Sequence, residues 1–230
     1  VLTKKELAKY IDHTLLKPTA TFDNIEMLCL EAKEYGFYSV CVNSCYVKHA
    51  VKLLGGTDIK VCSTVGFPLG AMATEAKVFE AVEAVKAGAA EVDMVINLGL
   101  LKSGDYYGVQ EDISEVVKAV KAVNPDAKVK VILEMCRLDE NEKVSACQLA
   151  KAAKADFVKT STGFDKAGAD VSDVMLMRKL VGDSMGVKAA GGIRDAKTAI
   201  EMINAGANRI GTSSGITIIQ DYVQSTEMGG

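Results

Sequence analysis

KVKVILEMCRLDENEKVSACQLAKAAKADFVKTSTG, residues 128–163, holds one full copy of the pattern that sets the fold. The run KVKVILE at 128–134 is apolar and β-branched, and reads as a strand. In NEKVSACQLAKAAKA, at 141–155, the apolar residues recur at helical spacing, and DFVKTST at 156–162 is a second strand-like run. The same alternation extends in both directions. Strand-like runs occur at YIDHT (10–14, the weakest), YSVCVN (38–43), KVCSTVGF (60–67), EVDMVINL (91–98), GVKAAGG (186–192) and RIGTSS (209–214). Helical periodicity fills TEAKVFEAVEAVKAGA, VQEDISEVVKAVKAV, VSDVMLMRKLVG and DAKTAIEMINAGA, and the KAG and NAG endings are stop signals.

Eight strand-like runs separated by helices in 230 residues suit an α/β fold of the (β/α)8 TIM-barrel type. The expectation is a single domain over residues 1–230 with a short N-terminal helix. An open doubly wound sheet is the alternative. It usually carries a Gly-rich phosphate turn after its first strand, and none follows YIDHT. No Pro/Gly/Ser-rich linker or charge block divides the chain.

Composition narrows the function. With 49% hydrophobic and 25% charged residues the chain is an ordinary soluble globule. A net charge of −3 gives no electrostatic footprint for nucleic acid or an anionic membrane. No run approaches the ~20 apolar residues of a membrane span, and VLTKKELAKY lacks an apolar signal region, so the expected location is cytoplasmic. Six cysteines, at 29, 41, 45, 62, 136 and 147, suit reduced thiols, several of them inside apolar runs. Cys41 and Cys45 have the spacing of half a zinc site. With only His13 and His49 in the chain and no second close Cys pair, nothing completes it, and neither metal nor cofactor is expected. The pattern sets no oligomeric state; a homo-oligomer is compatible with it.

A barrel gathers the C-terminal ends of its strands into one mouth. The polar residues there are Asp12, Thr14, Cys41, Asn43, Asp93, Asn97, Glu134, Lys159 and Lys188. One reading makes Asp93, Glu134, Lys159 and Lys188 a structural ion-pair network. Two lysines in one site point further, because mutual repulsion and burial both push a lysine pKa down from ~10.4. An unperturbed lysine is neutral only about 0.04% of the time at pH 7, and bringing its pKa to ~7 takes roughly 4 to 5 kcal/mol. A neutral amine of that kind forms Schiff bases with carbonyl substrates, whose iminium is an electron sink for carbon–carbon cleavage. Asp93 is the natural carboxylate for the proton transfers. Spacing alone leaves open which lysine is the nucleophile. Gly191 and Gly192 after one strand, and Gly211, Ser213, Ser214 and Gly215 after the next, stand where barrels recurrently bind phosphate. Ser161, Thr162 and Gly163 add donors. Ordinary turn chemistry explains either loop taken alone.

YIDHTLLKP, VDMVIN, FVKTSTGF, GVKAAGGIRD and RIGTSSG, in that order from about residue 10 to residue 218, together resemble the 2-deoxyribose-5-phosphate aldolase family. The resemblance implies a metal-free (β/α)8 barrel that reversibly cleaves 2-deoxy-D-ribose 5-phosphate to acetaldehyde and D-glyceraldehyde 3-phosphate. It makes Lys159 the Schiff-base lysine, Lys188 the neighbour that lowers its pKa, and Asp93 the acid/base acting with a bound water. It assigns phosphate to Gly163, Gly191, Gly192, Ser213 and Ser214, the rest of the substrate pocket to Asp12, Thr14 and Leu16, and a supporting part to Thr160. The chain departs from the family at Met135, commonly threonine, and at Ser44, frequently proline, which suggests a more mobile loop after the second strand. At Phe164 some members have a phosphate-assisting lysine, so phosphate binding is expected to rest more on backbone donors. The terminal EMGG lacks the tyrosine of some members. Two other readings are a different Schiff-base lyase or transferase acting on a sugar phosphate, and a non-catalytic sugar-phosphate-binding barrel. The latter has no need of the lysine pair.

Overall fold

In the computed structural model, which describes residues 2–222, eight parallel strands close on themselves in chain order. They are β1 (Ile11–Leu15), β2 (Ser39–Val42), β3 (Lys60–Val65), β4 (Glu91–Val95), β5 (Lys128–Ile132), β6 (Phe157–Lys159), β7 (Gly186–Ala190) and β8 (Arg209–Thr212). Closure rests on β1 pairing with β8 through Ile11 opposite Ile210, Asp12 opposite Gly211 and His13 opposite Thr212. That seam leaves the sheet without a free edge and rules out the open doubly wound alternative. The EMGG terminus lies outside the described residues.

The helices are α1 (Lys4–Ala8), α2 (Phe22–Tyr35), α3 (Val47–Leu53), α4 (Thr74–Lys86), α5 (Leu98–Lys102), α6 (Tyr106–Val123), α7 (Glu140–Ala152), α8 (Val171–Val181), α9 (Ala196–Asn204) and α10 (Gly215–Asp221). Their starts are written locally. Thr21 with Asn24, and Asp139 with Glu142, form reciprocal capping boxes that satisfy backbone N–H groups of α2 and α7. The KAG and NAG stop signals fall just past α4 and α9. The periodicity did not foreshadow α5, whose five residues follow an Asn97 cap directly after β4. Strand β6 is shorter than its apolar run, although Thr160 still donates its N–H to the Lys188 carbonyl and accepts from the Met135 N–H.

Alternation along the strands separates two interiors. Val92, Met94, Val129, Val131, Val158, Val187, Ala189 and Ile210 are fully buried in the apolar layer between sheet and helices. The intervening residues Glu91, Asp93, Lys130, Lys159, Lys188 and Arg209 meet inside the barrel, joined by ion pairs across it. The apolar layer therefore carries most of the hydrophobic stabilisation. At about 25 cal/mol per Å2 of buried apolar surface, it offsets the cost of a charged centre. Among the described residues no helix is long and apolar enough to cross a membrane.

The packing sorts the thiols. Burial pushes the Cys29 thiol up to about 11 and the Cys147 thiol up to about 12, while Cys45 is exposed and Cys136 half-buried. Iodoacetamide near pH 8 is expected to alkylate Cys45 first and Cys136 more slowly, by peptide mass spectrometry. Cys29, Cys41, Cys62 and Cys147 should react only after denaturation. Native-state alkylation of Cys29 or Cys147 at the Cys45 rate would contradict this packing.

Candidate active site

Asp93, at the third position of β4, is fully buried and sits at the centre of a charged cluster. Its Oδ2 accepts from Lys159 Nζ at 3.0 Å and from Lys188 Nζ at 2.8 Å. Its Oδ1 accepts from Lys130 Nζ at 2.8 Å and from the Cys62 thiol at 3.2 Å. Lys188 Nζ also lies 2.6 Å from Asp12 Oδ2, and Arg209 donates to Asp12 Oδ1 at 2.8 Å, as does Ser39 Oγ at 2.7 Å. Glu91 closes the base of the cluster, with Lys130 at 2.6 Å and Arg209 at 3.0 Å. The guanidinium also stacks 3.6 Å above the Tyr38 ring.

Burial alone would raise the Asp93 pKa, yet Lys130, Lys159 and Lys188 overcome it and hold the carboxyl well below the ordinary range. Asp12 behaves likewise: burial opposes its ionisation, and Lys188 and Arg209 prevail. For Lys188 burial works to strip the proton, but Asp12 and Asp93 hold it above the usual lysine value. Lys130 is also held above that value, against its burial, chiefly by Asp93. This changes one expectation. The two neighbouring amines do not depress each other symmetrically, because Lys188 touches two carboxylates, Asp12 and Asp93, where Lys159 touches only Asp93, and Lys188 is held as a cation. The interior therefore has four basic side chains (Lys130, Lys159, Lys188, Arg209) facing three carboxylates (Asp12, Glu91, Asp93). All three carboxylates are matched once one base gives up its proton.

Above this cluster lies a cavity of about 270 Å3 at the C-terminal ends of the strands. Of the seven charged groups only Lys159 lines it. Among the sequence-predicted residues, Thr14, Leu16, Gly163, Gly191, Gly192 and Ser213 also line it. Asp12, Asp93 and Lys188 lie beneath, reached through Lys159. Thr160 stands behind the wall, its hydroxyl bonded both ways to the Ala190 backbone at 3.1 Å. Ser214 precedes α10, outside the lining, with its N–H on Thr212 Oγ1.

The loops after β6 and β7 press backbone on backbone. A Cβ on Gly168 would stand 2.1 Å from the Gly191 carbonyl oxygen, which only glycine permits. Glu134, itself buried, accepts from the Thr162 hydroxyl and from its N–H at 3.2 Å, fixing the start of the β6 loop. Met135 is buried in the apolar core, away from the cavity. Ser44 is tied by its hydroxyl to Glu80 at 2.8 Å, an anchor for the loop after β2.

Sequence reasoning missed Lys17 and Arg194, two basic residues that line the cavity from the β1 and β7 loops. Both stand inside quoted motifs, YIDHTLLKP and GVKAAGGIRD, but no periodicity marks a loop residue as inward. They supply positive charge despite Phe164, which lines the rim and meets Phe67 edge-on at 5.2 Å. Lys130 and Arg209 were also missed, although each is a charge in an otherwise apolar strand. Cys41 groups with Cys62 and Asp93, ligand atoms within 4.8 Å, rather than with Cys45. That set does not suit a cation. Lys130, Lys159 and Lys188 already occupy Asp93, and burial with the Cys41 contact and Asp93 pushes the Cys62 thiol well up.

Residues 7–221 match the family model described as DeoC/LacD family aldolase. The chain is 62% identical over 216 residues to the deoxyribose-phosphate aldolase of Thermoanaerobacter sp. (strain X514), covering 94% of this chain and 96% of the relative. It is 61% identical to the deoxyribose-phosphate aldolase of Thermococcus kodakarensis, covering 95% and 98%. Among solved structures, the deoxyribose phosphate aldolase of Aeropyrum pernix superposes with a TM-score of 0.88 at 37% identity, covering 95% of this chain and 91% of that one. The Aeropyrum protein is described as having a unique tetrameric structure.

Gly211 on β8 gives Lys188 its room: a Cβ there would lie 2.9 Å from Lys188 Cε and 3.0 Å from Ala190 Cβ. Gly211→Ala is expected to cost about 1–3 kcal/mol of stability by overpacking. Denaturant titration measures that cost. Steady-state kinetics should show turnover falling more than KM rises, and parental turnover in the variant would contradict a role for this fit.

Proposed function

The chain belongs to the DeoC/LacD aldolase family, and from that premise we propose that it cleaves 2-deoxy-D-ribose 5-phosphate reversibly to acetaldehyde and D-glyceraldehyde 3-phosphate, with Lys159 as the Schiff-base nucleophile, in the cytoplasm. One observation carries the assignment: Lys159 is the one member of the ionic cluster that faces the cavity. An amine must touch its carbonyl to attack it, and Lys188 is sealed below between Asp12 and Asp93.

The proposed cycle follows from that placement. Neutral Lys159 Nζ adds to the C1 aldehyde of the open-chain sugar, and loss of water from the carbinolamine gives an iminium. The C3 hydroxyl gives up its proton, the C2–C3 bond breaks, and its electron pair moves into the iminium to form an enamine. Glyceraldehyde 3-phosphate leaves. Protonation of the enamine at C2 and hydrolysis then release acetaldehyde and free Lys159. Asp93, working through a water, is the proposed proton acceptor. The ammonium groups of Lys130 and Lys188 beside it keep it anionic, so it relays a proton rather than storing one. Lys188, held as a cation by Asp12 and Asp93, is proposed to place a fixed positive charge beside the reacting amine.

For the phosphate, the proposed cradle is the backbone of Gly163, Gly191, Gly192 and Ser213, with Ser214 behind it and Lys17 and Arg194 adding charge at the rim. Thr14 and Leu16 flank the sugar, Thr160 supports the wall, and Asp12 acts through Lys188.

Borohydride reduction with acetaldehyde present is expected to add a single ethyl group to Lys159, found by peptide mass spectrometry. Lys159→Ala should take up none, and undiminished labelling in that variant would overturn the assignment. No trapping at all would favour a non-catalytic binding barrel. Arg194→Ala and Lys17→Ala are each expected to lower kcat/KM for the phosphorylated sugar roughly 10- to 100-fold, the worth of a charged hydrogen bond. Cleavage of unphosphorylated deoxyribose should hardly change. Equal losses on both sugars would contradict a phosphate role.

A further inference from the structure

Lys130 takes part in no bond-making step of the cycle above, yet it is fully buried and bridges two carboxylates, 2.6 Å from Glu91 and 2.8 Å from Asp93. A fully buried lysine is costly, and an apolar residue at this inward position of β5 would avoid the cost. What it does is visible at Asp93. Lys130 occupies Oδ1, with the Cys62 thiol, so that Oδ2 is left to Lys159 and Lys188. It thereby fixes the carboxylate's rotation. It also supplies one of the four positive charges set against three negative ones.

We propose that Lys130 is a positioning residue for the Schiff-base lysine: it orients Asp93 toward the two amines and provides the cation that leaves the barrel interior matched only when Lys159 is neutral. The proposal rests on Lys159 being the nucleophile and deepens that reading. Every strand contributes a group facing the cluster: Asp12 from β1, Cys41 from β2, Cys62 from β3, Glu91 and Asp93 from β4, Lys130 from β5, Lys159 from β6, Lys188 from β7 and Arg209 from β8. The Cys62 thiol, pushed well up by burial, the Cys41 contact and Asp93, adds no negative charge at neutral pH. Asp12 and Asp93 stay anionic, and Lys188, Lys130 and Arg209 stay cationic. Of the four bases Lys159 alone faces the cavity, with Asp93 as its one carboxylate partner, so the surplus positive charge is assigned to its proton. Removing Lys130 lets the interior hold that proton with every charge matched. Removing the negative charge of Glu91 makes it harder to hold.

The test is the acidic limb of kcat/KM against pH, which marks loss of that proton when the neutral amine is the reacting form. Lys130→Met, close in length and uncharged, is expected to move the limb to higher pH by roughly one unit or more. Glu91→Gln keeps the shape of the site and is expected to move it to lower pH. The double variant again has one more base than carboxylates (Lys159, Lys188, Arg209 against Asp12, Asp93) and should return toward the parental limb. A residue that merely holds the fold would lower activity or stability and leave the limb in place. Unmoved limbs, or shifts of the opposite sign, in Lys130→Met and Glu91→Gln would overturn the proposal. If Lys130→Met does not fold, Glu91→Gln alone decides. Borohydride trapping on the parental protein is read in parallel. Its failure at Lys159 would remove the nucleophile assignment itself, whereas trapping with unmoved limbs removes only the part given to Lys130.

Discussion

The contact on which the rest depends is a single carboxylate shared by three lysines. Asp93 has Lys130 on one oxygen and Lys159 and Lys188 on the other, all within 3.0 Å. None of these groups has bulk water to screen it, since each is 3% exposed or less. In such a setting a change in one charge is felt by all the others. Asp12 and Glu91 pin Lys188, Lys130 and Arg209 as permanent cations. Lys159 has Asp93 as its one partner among these carboxylates, and of the cluster it alone opens onto the cavity.

The fold makes this arrangement affordable by separating two tasks. The outward faces of the strands, rich in Val, Ile, Met and Ala, pack against the helices and provide hydrophobic burial. Inward positions are thereby released from that duty, and closure between β1 and β8 places Asp12 within reach of Lys188 and Arg209. Above the ionic layer the β6 and β7 loops lock together at Gly168 and Gly191, so the cavity wall is backbone held against backbone. A site built this way is rigid beneath and open above, which suits the part proposed for Lys159.

Much of this was legible in the chain. The alternation of strand and helix signals was repeated often enough to specify the barrel. Lys159, Lys188 and Asp93 stood out because a charge in the middle of an apolar strand has few explanations. Lys130 escaped although it follows the same rule. In KVKVI two lysines share one face, yet Lys128 is exposed at the strand start while Lys130 is buried. Only the register, with Asp93 opposite Lys130 and Glu91 opposite Lys128, shows which of them is central. The asymmetry between Lys159 and Lys188 was hidden for a similar reason. It depends on Asp12, which is 176 residues from Lys188 in sequence (188 − 12) and 2.6 Å from it in space. Lys17 and Arg194 lie on loops, where direction is set by tertiary contacts rather than by any periodic pattern.

The central proposal is that, of the three lysines gathered on Asp93, Lys159 is the one left to react while Lys130 and Lys188 are held as ammonium ions by their carboxylates. Protein carrying lysine labelled with 13C and 15N at the side-chain end, followed by NMR from acid to alkaline pH, reads each ammonium directly. The expected result is that the signal absent in Lys159→Ala loses its proton at lower pH than those of Lys130 and Lys188, which keep ammonium shifts until the protein unfolds; the buried Lys77, paired with Asp112 away from this cluster, is assigned separately by its own variant. Signals of Lys130, Lys159 and Lys188 that all stay protonated to about pH 10, the range of an ordinary lysine, would contradict it, as would finding that Lys188 is the one that titrates.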